Sequence, residues 1–115
     1  RNYAAVAHHA LLKQALNLKG VRFRCGSFLD MPIPPKSLIY CDPPYEGTAE
    51  YKSKFPHSQF WEWCREQKKK GHIIFVSEYD APSDFECVFE MEHSTLLNKN
   101  KKVTRTERLF KTHAI

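Results

Sequence analysis

Two adjacent prolines, Pro43 and Pro44, follow almost directly on an apolar run in the stretch SLIYCDPPYEGT, residues 37–48. Proline fixes φ and has no backbone N–H, so it cannot continue a helix or a central strand. A short unbroken apolar run of this kind is typical of a strand that is covered on both faces. We therefore predict a strand from Leu38 to Cys41 that stops at Asp42.

The segments on either side of this run predict further helices and strands. Residues 3–18 carry apolar side chains at helical spacing, and Gly20 is placed to end that helix. An amphipathic helix is expected from about Phe60 to Lys70, ended by Gly71. Strands are expected at VRFRC (21–25), where apolar residues and arginines alternate, and at the buried run HIIFVS (72–77).

The last third of the sequence predicts an antiparallel hairpin. Phe85, Cys87, Phe89 and Met91 alternate with residues that are mostly acidic, which indicates a strand with one face in water. The segment TERLFKT (106–112) is expected to pair with it across a turn at 98–102. The order of elements predicts an α/β fold with an antiparallel end, in a single domain over residues 1–115. No apolar run is long enough to span a membrane.

The charge of the chain favours an anionic partner. The formal net charge is +5, and the cations concentrate at Lys68–Lys70 and at 99–102, with Arg105 and Arg108 following. Such a balance favours nucleic acid above other partners. The first cluster lies in the last turn of a predicted helix, where the helix dipole accounts for it. The second cluster is either a solvated hairpin loop or a nucleic-acid contact.

The cysteines and histidines predict neither a disulfide nor a metal site. Cys25, Cys41, Cys64 and Cys87 lie far apart inside apolar stretches, without a CxxC pair. Buried free thiols of a reducing compartment are the expected state, and we expect a cytoplasmic protein. The adjacent pair at 8–9 would point in different directions on a helix and is not expected to hold a metal.

The tetrapeptide Asp42–Tyr45, called the DPPY turn below, has groups suited to a specific chemistry. Ligands bind beyond the carboxyl ends of strands in open α/β sheets, so the Asp42 carboxylate would face a cleft. Because Pro43 and Pro44 lack N–H groups, nearby carbonyls remain available as acceptors. A carboxylate and a carbonyl held together accept hydrogen bonds from both N–H groups of an amino group, and Tyr45 offers a ring on which a base can stack. The chemistry that needs this arrangement is methyl transfer to an amine.

The sequence YCDPPY (40–45), followed by Thr48 and Tyr51, resembles the catalytic motif of the Dam-type DNA adenine-N6 methyltransferases, the D12 class. The segment IYCDPPYEGTAEY is similar to phage and prophage members in particular. The likeness continues in order through the opening helix, RCGSFLD, FVS and KKVTRTERLF. It implies a partial Rossmann-like fold that uses S-adenosylmethionine and acts on an adenine flipped out of double-stranded DNA.

The resemblance also implies roles for individual residues. Asp42 and the carbonyl of Pro43 would hold the target amino group, Pro44 would fix the turn, and Tyr45 would stack on the flipped adenine. Asp42 would also lie against the cofactor. The remaining implied contacts are Ser27 and Phe28 with the adenine ring of the cofactor, and Thr48, Tyr51, Lys52 and Lys54 with the DNA backbone.

Two parts of these enzymes are not found in the sequence. The glycine-rich cofactor motif F-x-G-x-G is absent, and the four glycines are far from one another. The segment that recognises the DNA sequence is absent too. We therefore expect a C-terminal catalytic portion that turns over weakly alone. The DPPY strand should then have an open edge, and this edge predicts a homodimer.

Other functions are compatible with the same residues. An amino-methylase that acts on RNA or on a protein glutamine would also use an Asp-Pro-Pro-aromatic motif. A remnant that binds nucleic acid through its basic loop without methylating it is a non-enzymatic alternative. Ser77 and Glu78 follow the HIIFV run and either face the same cleft or serve as capping residues.

Overall fold

A computed structural model of the chain describes residues 3–45, 55–98 and 101–113. The chain forms two compact units, Arg1–Met31 and Pro32–Ile115. No helix in these described ranges combines the length and the apolar character needed to cross a membrane. The expectation of a single domain stays a prediction, and each unit is described by itself below.

The first unit contains helix α1, Tyr3–Asn17, and a short 3-10 helix, Phe28–Asp30. The predicted helix and its end are confirmed, because Gly20 adopts a φ of 89° just beyond the last turn. A left-handed φ of this kind favours glycine, which has no Cβ to clash with the backbone.

The predicted strand at residues 21–25 is wrong. The structure assigns no strand there, and the Val21 and Phe23 side chains are 51% and 76% exposed. An alternating pattern forms a strand only where a neighbouring strand supplies hydrogen bonds. Within the described residues, none pairs with this segment.

The second unit is a mixed four-stranded sheet with one helix, and the α/β class is confirmed. Its strands are β1 (Leu38–Cys41), β2 (Ile73–Glu78), β3 (Phe85–Asn98) and β4 (Lys101–Thr112). The order across the sheet is β1-β2-β4-β3. Strands β1 and β2 are parallel, and β4 is antiparallel to both of its neighbours, as an antiparallel end requires.

Helix α2, His57–Lys69, covers one face of this sheet. Its buried residues Phe60, Trp61 and Cys64 lie over a strand core formed by Ile74, Val76, Phe85 and Phe110. The Trp61 ring packs edge-on against Phe85, with ring centroids 4.8 Å apart. As predicted, Gly71 ends the helix region, with a φ of 97°.

The prediction that β1 is covered on both faces is wrong. Leu38 is 68% exposed and Tyr40 is 58% exposed, whereas their strand neighbours Ile39 and Cys41 are half-buried. The alternation arises because α2 covers only one face of the second unit. An apolar run therefore indicated a strand without indicating how many of its faces are covered.

A β-bulge in β3 changes the face on which its later side chains lie. Cys87 pairs with Phe110 and Phe89 pairs with Leu109, so Val88 is one extra residue. Because strand side chains alternate with period two, one inserted residue moves every side chain that follows to the opposite face of the sheet. The prediction that Phe85, Cys87, Phe89 and Met91 share one apolar face is therefore wrong. Phe89 and Met91 lie on the face opposite α2.

The prediction of four buried thiols is only partly right. Cys64 is buried and Cys41 is half-buried, but Cys25 and Cys87 are exposed. A hydrogen bond between the Cys41 and Cys64 thiols lowers the pKa of Cys41 and raises the pKa of Cys64, and burial raises the pKa of Cys64 further.

We expect the thiols of the native chain to alkylate in a fixed order. Only a thiolate reacts readily, so buried Cys64 with its raised pKa should react last with iodoacetamide, after Cys25 and Cys87. Peptide mass spectrometry over a time course measures this order. Modification of Cys64 as fast as Cys87 would contradict the packing described for α2.

Candidate functional site

The carboxyl ends of the two parallel strands lie side by side at one edge of the second unit. Asp42 follows the end of β1, and Ser77 and Glu78 end β2, which pairs with β1 from Leu38 to Cys41. The Asp42 side chain is exposed, whereas Pro43 behind it is buried. The structure thus places the Asp42 carboxylate just beyond the carboxyl ends of the strands, where open α/β sheets bind ligands.

His57 fixes the DPPY turn from the start of α2. Its Nε2 lies 2.9 Å from the carbonyl oxygen of Pro44 and 3.8 Å from Oε2 of Glu78. Both neighbours are acceptors when the carboxylate is ionised. Nε2 therefore carries a hydrogen and donates a hydrogen bond to the Pro44 carbonyl.

Glu78 anchors this arrangement from inside the sheet. Its side chain is fully buried, and Oε1 accepts a hydrogen bond from the backbone N–H of Tyr79 at 2.9 Å. A buried carboxylate is stable only with hydrogen-bonding partners. Here Oε1 is bound to the backbone just after β2, and Oε2 lies beside His57 at the start of α2. The turn is thus tied to both β2 and α2.

Tyr45 packs against a second tyrosine, Tyr79, which directly follows the end of β2. The ring centroids of Tyr45 and Tyr79 are 4.4 Å apart in an edge-on arrangement. Burial, followed by the charges of Glu107 and Asp42, raises the pKa of Tyr45 to about 12. The phenol is therefore neutral at physiological pH.

A small pocket of about 100 Å³ opens beside Tyr45 on the face of the sheet opposite α2. Apolar and polar side chains both line it. Phe89 and Met91 reach it because the bulge at Val88 turns them to this face. The lining residues are Tyr45, Ser77, Phe89, Met91, Glu107, Arg108 and Leu109.

We expect the phenol of Tyr45 to resist ionisation. The difference in tyrosinate absorbance between the wild type and Tyr45→Phe should lack a step near the ordinary pKa of about 10. In Glu107→Gln the step should move downward, because one negative charge is removed. The pKa of Tyr45 is higher in the folded chain than in the unfolded chain. The free energy of unfolding should therefore not depend on this phenol below a pH of about 10, and it should fall as the pH rises from there toward about 12. A Tyr45 step at the ordinary value would contradict this environment.

A larger depression lies at the other end of the strands. It has a volume of about 470 Å³ and is lined by residues that include Lys68, Lys69, His72 and Lys111. It is next to the start of β2, whereas Asp42 and Tyr45 follow the end of β1. Size alone therefore does not identify the site, because the carboxylate and the stacked tyrosines are elsewhere.

The predicted catalytic residues Asp42 to Tyr45 are consecutive and follow the end of β1, and their roles stay predictions, as do the other predicted contacts. Ser27 and Phe28 belong to the first unit, where Ser27 Oγ accepts a hydrogen bond from the Leu29 N–H at 3.2 Å and caps the 3-10 helix. Their role in cofactor binding stays a prediction. The predicted DNA contacts Thr48, Tyr51, Lys52 and Lys54 lie outside the described residues.

Several residues of the site were not predicted. His57, Tyr79 and Glu107 had no motif to mark them, because their contacts join segments that are distant in the chain. Ser77 and Glu78 did have a signal, since they follow a strand that is parallel to β1. In the described ranges, no three histidine, cysteine or acidic side chains cluster as metal ligands would. Comparison of the chain with protein-family models, curated proteins and solved structures found no match.

Proposed function

We propose that the chain is the part of an adenine-N6 DNA methyltransferase that holds the target adenine. Its sheet would then be the C-terminal part of a Rossmann-like fold that uses S-adenosylmethionine. The observation that supports this most is the DPPY turn itself. It lies at the carboxyl end of β1 with Asp42 exposed, and His57 holds it through the Pro44 carbonyl.

The acceptor chemistry follows from the groups at this turn. Asp42 and the Pro43 carbonyl accept hydrogen bonds from the two N–H groups of the adenine amino group. These hydrogen bonds draw the nitrogen toward a tetrahedral geometry and localise its lone pair for attack. Tyr45 stacks on the base and offsets part of the cost of flipping it out of the duplex.

Fewer residues of the chain are candidates for binding the methyl donor. S-adenosylmethionine supplies an electrophilic methyl group when bound, and Phe28 with Ser27 would contact its adenine ring. Phe28 is half-buried, so its ring is accessible in part. Because the glycine-rich motif is absent from the sequence, we expect weak donor binding and slow turnover by this chain alone.

Calorimetric titration with S-adenosylmethionine tests this half of the proposal. We expect saturable binding that Phe28→Ala weakens about tenfold, since stacking of a ring on a base contributes about 1–3 kcal/mol. Val21→Ala, at an exposed apolar position of the first unit, is the control and should bind as the wild type does. Binding that is equally strong in Phe28→Ala would overturn the donor assignment.

We also propose association through the edge of β1. In the described part of the chain β1 pairs only with β2, so its outer side is an open edge. Such an edge is a template for pairing with a second copy. Light scattering should therefore show a dimer that forms as the concentration rises.

Leu38→Lys should keep the chain monomeric, because charge on an edge strand opposes pairing. Leu38 is 68% exposed, so the change leaves the core intact. Leu96→Lys on the opposite edge, where Leu96 is 72% exposed, is the control and should dimerise normally. A wild-type monomer at high concentration, or a dimer that Leu38→Lys leaves unchanged, would contradict association through β1.

A further inference from the structure

The hairpin of β3 and β4 extends well beyond the sheet that carries the site. Strand β2 pairs with β4 only from Arg108 to Lys111. Residues 91–98 and 101–107 pair only with each other among the described residues, and we call this two-stranded part the ribbon. At about 3.4 Å per residue it is roughly 20 Å long.

The ribbon carries positive charge without compensating carboxylates near its tip. The sequence from His93 to Thr106 contains four cations, Lys99, Lys101, Lys102 and Arg105, and no acidic residue. The side chains of Lys101, Lys102 and Arg105 are exposed. A two-stranded hairpin that packs against nothing else is marginally stable at best in water. A role as a solvent-exposed loop therefore does not explain the length of the ribbon.

Side-chain contacts connect the ribbon to the DPPY turn. The guanidinium of Arg105 lies over the Tyr79 ring, 5.3 Å from its centroid, and Tyr79 in turn contacts Tyr45. A shallow depression of about 380 Å³ lies along this path and is lined by Tyr79, Arg105, Thr106 and Arg108. Arg108 is bound to Glu90 and to the Tyr79 carbonyl, whereas Arg105 lies over a ring face.

From this arrangement we infer that the ribbon binds double-stranded DNA beside the base held at Tyr45. The inference rests on the proposed function, because the partner is the DNA that contains the target adenine. The major groove of B-DNA is about 12 Å wide and admits a two-stranded β-ribbon. Duplex RNA has a deep, narrow major groove that side chains cannot read, so the shape favours DNA. Lys101, Lys102 and Arg105 bind phosphates. Lys101 and Arg105 lie on one face of the ribbon, and Lys102 lies on the other face with the hydroxyls of the paired residues Ser94 and Thr104.

Two variants with the same loss of charge test the inference. The ribbon variant combines Lys101→Gln, Lys102→Gln and Arg105→Gln. The control combines Lys68→Gln, Lys69→Gln and Lys70→Gln, at the C-terminal end of α2. Binding to a mixed-sequence DNA duplex is measured by fluorescence anisotropy over a range of salt concentrations, and circular dichroism checks that each variant folds.

We expect the ribbon variant to bind DNA about tenfold more weakly or worse, with a salt slope reduced by about 0.9 for each phosphate that it no longer neutralises. The control should retain the wild-type salt slope and affinity within about twofold. Equal losses in the two variants, no loss in the ribbon variant, no saturable DNA binding, or equal affinity for duplex RNA would each overturn the inference. Loss of DNA binding confined to the ribbon variant, without any N6-methyladenine formed by the wild type, would instead overturn the proposed function and leave the ribbon as a DNA-binding element.

Discussion

Asp42→Ala is expected to reduce methyl transfer to DNA adenine by about 10²–10³-fold, the effect of removing one hydrogen-bonding group that acts on the reacting atoms. The carboxylate is the charged acceptor at the turn, so its loss leaves the amino group with a single carbonyl partner. Stability should change by less than about 0.5 kcal/mol, because the side chain is exposed. Single-turnover rates with chain in excess of DNA measure the effect.

Asp42→Asn is the matched control for this variant. Asparagine keeps one acceptor oxygen in the same place, so part of the transfer activity should remain. The ordering wild type, then asparagine, then alanine identifies hydrogen bonding to the amino group. Transfer by Asp42→Ala at the wild-type rate would show that the carboxylate has no part in the reaction.

Glu78→Ala is expected to destabilise the second unit by about 2–4 kcal/mol. The side chain is fully buried, so its removal leaves a cavity and deprives the Tyr79 N–H of its acceptor. Such a loss is a large part of the roughly 5–15 kcal/mol that is typical of a domain. Urea denaturation followed by circular dichroism measures it.

Glu92→Ala provides the comparison, because this residue is exposed on β3 and its loss should change stability by less than about 0.5 kcal/mol.

Two variants, His57→Ala and His57→Gln, separate a role of His57 in positioning the DPPY turn from a role in packing. Alanine removes the donor to the Pro44 carbonyl and should slow transfer about tenfold, whereas glutamine retains an N–H donor and should restore most of the rate. Equal rates in both variants would exclude a positioning role for His57.

The local pattern of the sequence was sufficient to predict most of the second unit. Apolar runs and alternation in the sequence located strands β1 and β2, the amphipathic α2 and the closing hairpin, although not every buried face, and Gly71 marks where α2 must stop. The DPPY turn was located because two prolines end a strand wherever they occur. These features depend on neighbouring residues in the chain.

The features that could not be predicted depend on partners distant in sequence. Residues 21–25 alternate as a strand would, but pairing decides whether a strand forms. The extra residue at Val88 sends Phe89 and Met91 to the site, and alternation alone gives no sign of it. The hydrogen bond from His57 to Pro44 crosses a thirteen-residue separation. No short-range rule links a residue at the start of a helix to a carbonyl that far upstream.

The most direct measurement is the identity of the methylated nucleoside. The wild-type chain, in excess over unmethylated DNA, is incubated with S-adenosylmethionine that carries a deuterated methyl group, and the DNA is digested and analysed by mass spectrometry. We expect deuterated N6-methyladenine, formed slowly and absent from reactions with Asp42→Ala. Label only in cytosine, in RNA or in protein offered as competitors, or no label in a chain that binds S-adenosylmethionine, would contradict it.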